Sequence, residues 1–472
     1  MKVLVTGASG YIGRQLAEKL SAAGHDVTCM VRGSALPAQL YRPQVKFVNA
    51  DVLHAETLPP ALKGIDVAYY LIHSMSGQVE GFELRDRQAA SNFAIAAKQC
   101  GVARVIYLGG LAATKGTVSA HLKSRHETGA VLRKFGPPVI ELRAGIIVGN
   151  GSTSFEIIRC LAERLPLMIC PRWVVTKTQP IAVSDVLEYL EAVLDLRRAV
   201  EEPIEIGGST IETYRSMMLA YARQRGLRRL LLRVPVLTPR LSSYWLDFVT
   251  PVPPAVSRPL IEGLRSESVC SNALAARLFP SIRPVSYAAA VERALERPAP
   301  SMPLRSMDGA SHRTFRAEGI ICDVRETIVN APPERVFGLI RNVGGENGWF
   351  YANFLWSLRG WIDRLLGGVG MKRGRSRTSG IEGGDVIDFW KVEHAEEPRD
   401  VLLRAEMRLP GQAWLQFSLT PQPNGRTLLR CCAWFQPHGL GGEIYWCGLY
   451  PVHAIIFSGM LRAIRNRAER SS

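Results

Sequence analysis

The sequence predicts an α/β protein, a doubly wound parallel sheet carrying an elaborated segment, followed by a separate α+β domain. Three observations predict it. Residues 1–200 alternate short apolar runs with helical patterns, as a parallel sheet covered on both faces requires. The first apolar run ends in a glycine-rich turn, Thr6-Gly7-Ala8-Ser9-Gly10-Tyr11-Ile12-Gly13. Composition then changes after residue 318, where seven of the nine tryptophans fall, at 349, 356, 361, 390, 414, 434 and 446.

In the first part, strands are expected at Val3–Thr6, Asp26–Val31, Val45–Val48, Val67–Ile72, Arg104–Leu108 and Val139–Leu142, with helices such as Ile12–Ala23 and Asp86–Cys100 between them. Runs as continuously apolar as VAYYLI suit strands buried on both sides. Prolines then accumulate (Pro235, Pro239, Pro251, Pro253, Pro254, Pro259), and residues 206–300 read as a helical extension on the substrate side of a first domain, 1–205. The polar Pro/Ser-rich stretch Pro298–Arg316 reads as a linker, placed at 301–318. Residues 319–472 read as a second domain. It has a strand at Cys322–Val329, a helix at Pro332–Ile340 with proline near its first turn, and strands at Val386–Glu393, Val401–Arg408, Ala413–Thr420 and Thr427–Phe435. Asn424-Gly425 marks a hairpin, because both residues tolerate positive φ. A helix near Pro451–Arg467 completes it.

The glycine-rich turn follows a strand and opens a helix, the context such a motif needs. Gly7 permits the tight turn, Gly10 a close approach to a pyrophosphate, and Gly13 close packing of helix on strand. The helix N-terminus offers amides and partial positive charge to the phosphates. The end of the second strand decides between cofactors. An acidic residue there would accept from a ribose 2′-hydroxyl. Met30-Val31-Arg32-Gly33 stands there instead, and Arg32 can pair with a 2′-phosphate, with Arg14 able to assist. NADP(H) is therefore expected in preference to NAD(H), which stays the alternative. Asp51 is placed to meet the adenine amino group. Thr6, Ser9, Tyr11, Ile12, Val52 and Leu71 complete the predicted cofactor contacts.

Fifty-eight lysines and arginines against 42 acidic residues give a net charge of +16 and a pI near 9.7. That balance favours anionic partners such as phosphorylated cofactors or membrane headgroups. The densest basic runs, Arg223–Arg233, Lys372–Arg377 and Arg462–Arg470, lack the interleaved aromatics of a single-strand binding platform, so no nucleic acid is expected. Nine scattered cysteines without a CxxC pair suit reduced, buried thiols, and no metal site is expected. Residues 2–6 already read as a strand, no signal peptide is expected, and no run of about 18 apolar residues is present. A cytoplasmic protein follows as the expectation, with peripheral membrane contact as an option. Phe350–Leu366, aromatic and amphipathic, reads as a cavity lid, a membrane-contact helix or a buried helix.

TGASGYIG, Asp51 and the strand-five run VIYLGG together resemble the extended and atypical short-chain dehydrogenase/reductase superfamily over roughly residues 1–300. IELRAGIIVG and QPIAVSDVLEYL look like its sixth strand and substrate-side segment. Within it the chain is similar to atypical NAD(P)-binding Rossmann members, including the Rossmann-type accessory subunit of respiratory complex I. Residues 319–472 resemble a bacterial family of undefined function with helix-grip, START-like character, on APPERVF, GGVGMKRGR, PGQAWLQF and FQPHGLGGEIYW. Standard members of the first family carry Tyr-x-x-x-Lys after strand five. At the matching positions here stand His121 and Arg125, and Gly109 and Gly110 replace the usual serine.

The resemblance implies that His121 stands where the family's acid–base group acts and Arg125 where its ribose-holding lysine acts. An unperturbed histidine titrates near pH ~6.5 and suits that work, whereas arginine stays charged and cannot shuttle a proton. His73, Ser74 and Tyr107 are further candidate donors. Two functions stay open. One is an NADP(H)-preferring oxidoreductase acting on a hydrophobic carbonyl, alcohol or quinone-like substrate. The other is a non-catalytic NADP(H)-binding redox sensor or assembly protein with a lipid-like ligand in its second domain. Oligomeric state is not legible.

Overall fold

The computed structural model describes residues 1–33, 45–72, 82–111, 119–196, 200–233, 263, 266–296, 312–317, 319–370 and 380–470. The chain divides into two units, Met1–Glu296 and Arg297–Ser472.

The main sheet of the first unit has seven strands: β1 (Lys2–Val5), β2 (Asp26–Val31), β3 (Lys46–Asn49), β4 (Val67–Tyr70), β5 (Arg104–Gly110), β6 (Val139–Ala144) and β7 (Ile204–Ile206). They pair in the order β7-β6-β5-β4-β1-β2-β3, every pair parallel. Strand order therefore reverses beside β1, the point where open α/β sheets place a ligand at the carboxyl ends of their strands. Burial on both faces explains the unbroken apolar runs: Val3, Leu4 and Val5 are all fully buried. One face packs on α1 (Tyr11–Ala22) through Leu16, Ala17 and Leu20. The other packs on α2 (Phe82–Gln99) through Ala90, Phe93 and Ala97. The six strands expected from sequence are present within a residue or two at each end; β7, three residues long, is additional.

Helix α3 (Ala120–Phe135) joins β5 to β6, and α4 (Thr153–Arg164), α5 (Val183–Ala192), α6 (Tyr214–Gln224) and α7 (Tyr287–Leu295) follow β6 in the chain. Helices α4, α6 and α7 share a core around Phe155, Met217, Tyr221 and Tyr287. The proline-rich stretch 234–262 lies outside the described residues.

The second unit is an antiparallel seven-stranded sheet. Its strands are β8 (His312–Ala317), β9 (Ile320–Val329), β10 (Val386–Ile387), β11 (Trp390–Glu396), β12 (Asp400–Ala405), β13 (Gly411–Gln422) and β14 (Arg426–Pro437). The order is β8-β9-β14-β13-β12-β11-β10. Asn424 and Gly425 both have positive φ, 63° and 66°, as the hairpin signal requires. Among the described residues, helices α8 (Pro333–Arg341), α9 (Asn353–Leu365) and α10 (Gly439–Arg470) accompany the sheet.

Residues 312–317, read as linker, form β8 along β9, with Arg316 clamped by Glu443 of α10; a polar edge strand carries no apolar signature. The strand expected at Val386–Glu393 breaks in two, turning at Asp388, whose φ is 54°. The last helix is 32 residues long and starts 12 residues before Pro451, which it contains. By length and composition alone this helix is apolar enough to cross a membrane. In the fold, Met460, Leu461, Ile464 and Ala468 bury against the sheet, and Ser458 accepts from Arg325 of β9. All nine cysteines are free; Cys447 is exposed, contrary to the expectation of burial.

Candidate functional site

The site begins where β1 ends. Thr6 is fully buried; its amide donates to Tyr69 O (3.0 Å) and its hydroxyl accepts from the Leu71 amide (3.0 Å). These bonds tie the ends of β1 and β4 together at the point of reversal. Gly7 has φ +64°, and a Cβ there would lie 2.8 Å from Leu71 O, so only glycine makes this turn. A Cβ on Gly13 would overlap Gly7 O and sit 2.8 Å from Gly7 C. Helix α1 is thus pressed directly onto the turn. Its first internal bond runs from Arg14 N–H to Gly10 O (3.1 Å), and its N-cap residue, Gly10, has no side chain with which to cap it. Helix geometry leaves the first-turn amides without helical partners and with partial positive charge, beside an exposed Ser9 and Gly10. This donor set fits a dinucleotide diphosphate. The ring of Tyr11 reaches over to Gly149, where a Cβ would collide with its hydroxyl.

At the end of β2, Arg32 is exposed. Asn49, at the end of β3, accepts the Gly33 amide (3.0 Å) and shapes the turn that presents Arg32. Asp51 is half-buried; one carboxylate oxygen accepts the Leu53 amide (3.0 Å), and the Asp51 amide donates to Thr57 Oγ1 (3.0 Å). The turn residues, Arg32, Asp51 and the half-buried Leu71 all stand at the carboxyl ends of β1–β4. The Val52 side chain points instead into the core around Leu4 and Met30, and its carbonyl accepts from Asn92 Nδ2 (2.9 Å).

The other half of the site lies along β5 and α3. Ser119 caps α3, its hydroxyl accepting the Leu122 amide. His121 is in the first turn of this helix, and its side chain lies outside the described residues, as do His73 and Ser74. Arg125 places its guanidinium 5.3 Å from the Tyr107 ring centroid and donates to Leu108 O, while Tyr107 Oη donates to Arg125 O (2.8 Å). Tyr107 is fully buried, and burial pushes its hydroxyl above the ordinary tyrosine range. It is therefore a packing residue of β5, not a reachable proton donor. At Gly110 a Cβ would lie 2.7 Å from Leu122 Cδ1, so a serine at this position requires the Leu122 tip to move.

Two residues outside the glycine and Tyr-x-x-x-Lys motifs also shape this half. His126 Nε2 lies 3.2 Å from Gly110 O, and burial, reinforced by Arg143, lowers its pKa. Glu141 is buried between Arg133 and Arg143 (Arg143 Nε to Oε1 2.7 Å), locking α3 onto β6. The sequence holds only a hint of this: a charged residue inside the apolar run VIEL.

Residues 7–135 match a family model described as NAD(P)H-binding, and residues 319–460 match a protein family of unknown function (DUF2867). The chain is 34% identical over 116 residues to a 3-beta-hydroxysteroid dehydrogenase of Mycolicibacterium neoaurum, covering 22% of this chain and 31% of that one. It is 28% identical over 167 residues to the ceramide reductase of Caulobacter vibrioides, covering 35% and 52%. The chain thus spans about a third of the first of these relatives and about half of the second. Among solved structures, the Citrobacter sp. triphenylmethane reductase complexed with NADP(H) superposes with a TM-score of 0.50 at 17% identity, over 62% of this chain and all of that one. Residues 7–135 of this chain thus match an NAD(P)H-binding family model, and the first unit has the parallel, Rossmann-like α/β fold of that reductase.

Proposed function

We propose that the N-terminal unit is an NADP(H)-preferring oxidoreductase acting on a hydrophobic carbonyl, alcohol or quinone-like substrate. The observation that carries this reading is the uncapped N-terminus of α1, flanked by an exposed Arg32 where an NAD-selective site would hold an acid. The first-turn amides of α1, those of Ile12 and Gly13 among them, hold the diphosphate, Arg32 the 2′-phosphate and Asp51 the adenine amino group. A bound nicotinamide supplies or accepts the hydride. His121 holds or moves the proton at its imidazole, in the place of the family's tyrosine, and Arg125 fixes ribose hydroxyls. The relatives named for a steroid dehydrogenase and a ceramide reductase support an apolar substrate.

A second reading is favoured by one observation. Arg125 already donates to Leu108 O and packs on the Tyr107 ring, so it serves the fold as much as any cofactor. On this reading the protein binds NADP(H) without turnover, as a redox sensor or assembly protein. Calorimetry with NADPH and NADH, followed by NADPH oxidation against hydrophobic ketones and quinones, separates the two. Turnover lost in His121→Ala with cofactor affinity intact establishes the enzyme. Tight NADPH binding with no oxidation of any such substrate establishes the sensor. No binding of either nucleotide refutes both.

A further inference from the structure

Helix α9 carries an apolar stripe on its exposed side. Its large apolar residues Phe354, Leu358, Trp361, Ile362 and Leu365 follow i, i+4, i+7, i+8, i+11 spacing and make one stripe. That stripe faces solvent: Phe354 is 70% exposed, Trp361 58% and Leu365 68%. The opposite stripe, Trp356, Gly360 and Asp363, is the buried one. Asp363 anchors it, accepting the amides of Gly370 (2.9 Å) and Arg408 (2.7 Å). The fold therefore holds the helix by Trp356, Gly360 and the Asp363 carboxylate and presents a second apolar stripe outward. Arg359 and Arg364 flank the exposed stripe, Arg408 is exposed nearby, and the acid on this helix is the buried Asp363.

Behind this face lies an apolar cavity of about 250 Å³, between α9, α10 and the sheet. Leu358, Ile362 and Val452 line the cavity and are also exposed, so it reaches the surface beside the α9 stripe. Among the described residues no carboxylate lines it. Trp356 Nε1, Trp390 Nε1, Arg359 Nη1 and His453 Nδ1 all belong to its lining, are buried and have no hydrogen-bond partner. Neighbouring Trp349 shows the contrast, its Nε1 donating to Asp388 (2.8 Å). Buried donors are rarely left unpaired. Indole and guanidinium N–H groups only donate, so any partner of these atoms is an acceptor. His453 stands edge-on to Trp446 (5.2 Å) and Phe457 (5.3 Å).

We infer that the C-terminal unit binds an apolar molecule with an oxygen-acceptor head, taken up from an anionic bilayer on which the α9 stripe docks. The apolar body fills the cavity, the head meets the unpaired donors, and the exposed Arg364 and Arg408 match anionic headgroups. This assignment does not rest on the nucleotide reading.

The test uses the full chain with laurate, methyl laurate and dodecane as probes, followed by tryptophan fluorescence, and vesicles of phosphatidylcholine with and without phosphatidylglycerol. Laurate or its ester binds saturably, and dodecane, which lacks an acceptor, binds about tenfold or more weakly. Laurate tighter than the ester places a carboxylate on Arg359; equal affinity places a neutral carbonyl there. Ala433→Phe, filling the cavity, abolishes probe binding. The surface variant Trp361→Ser/Leu365→Ser keeps probe affinity in solution and lowers co-sedimentation with phosphatidylglycerol vesicles about a hundredfold. NADPH affinity stays unchanged in both variants, which separates failure here from failure of the nucleotide reading. Dodecane binding as well as laurate, no saturable binding of any probe, or a double variant that dissociates an oligomer without affecting vesicle binding each overturns the inference.

Discussion

Replacing Gly13 by alanine isolates the geometric claim on which nucleotide binding depends. The new Cβ would lie 2.8 Å from Gly7 C and 3.0 Å from Ala8 Cα, and would overlap Gly7 O. Carbon atoms pack at about 3.5 Å or more, so α1 and the turn must separate by roughly 0.7 Å. The obstacle is backbone on both sides, and no side chain can swing away. Overpacking of this kind costs about 1–3 kcal/mol of stability. The same shift carries the first-turn amides away from the diphosphate, and losing one bond to a charged group costs about 1.5–3 kcal/mol. NADPH affinity is therefore expected to fall about tenfold to a hundredfold. Gly24→Ala is the control. It sits at the far end of α1 with φ +83° and no atom within 4 Å, so it carries only the left-handed backbone cost of about 1–2 kcal/mol. Calorimetric titration with NADPH, paired with urea unfolding, reads both quantities. Wild-type affinity in Gly13→Ala, or an equal loss of affinity in Gly24→Ala, would refute the reasoning.

Arg32→Ala is expected to weaken NADPH about tenfold, for one lost charge-assisted bond at an exposed site, and to leave NADH unchanged; parallel titrations check it. Glu141→Ala strands Arg133 and Arg143 beside each other and is expected to destabilise the first unit by about 3 kcal/mol, the lower end for a broken buried pair because Arg133 is a third exposed. Chemical denaturation measures that loss. His453 is held by burial at about 4, opposed by Asp323 and reinforced by Arg325, against an ordinary value near 6.5. The unfolded chain takes up a proton there first, so stability is fully present above about pH 6.5 and declines as pH falls toward 4, by about 3 kcal/mol. His453→Phe should flatten that window, read by tryptophan fluorescence in urea at about pH 7 and about pH 4.5.

Much of the first unit is legible in the amino-acid order alone. Its strands are buried on both faces, so each is a nearly unbroken apolar run, and its glycine turn is spelled out by residues that no other side chain can replace. The Asn424-Gly425 hairpin is legible for the same reason, a local backbone demand answered by local residues. The nicotinamide half of the site is not. Its makeup depends on which strand lies beside which helix: Arg125 on Leu108, His126 on Gly110, Glu141 between two arginines from separate elements. Pro451 hides the start of the last helix, since proline signals a break unless neighbouring packing holds the turn.

What the sequence by itself determined is the phosphate-binding turn and the parallel sheet beneath it, because both follow from contacts between near neighbours and from continuous burial. Only the tertiary structure decided which way α9 faces. Periodicity reveals an apolar stripe but carries no direction, and the direction was set by Asp363, whose carboxylate finds its partners in the amides of Gly370 and Arg408, one of them 45 residues away.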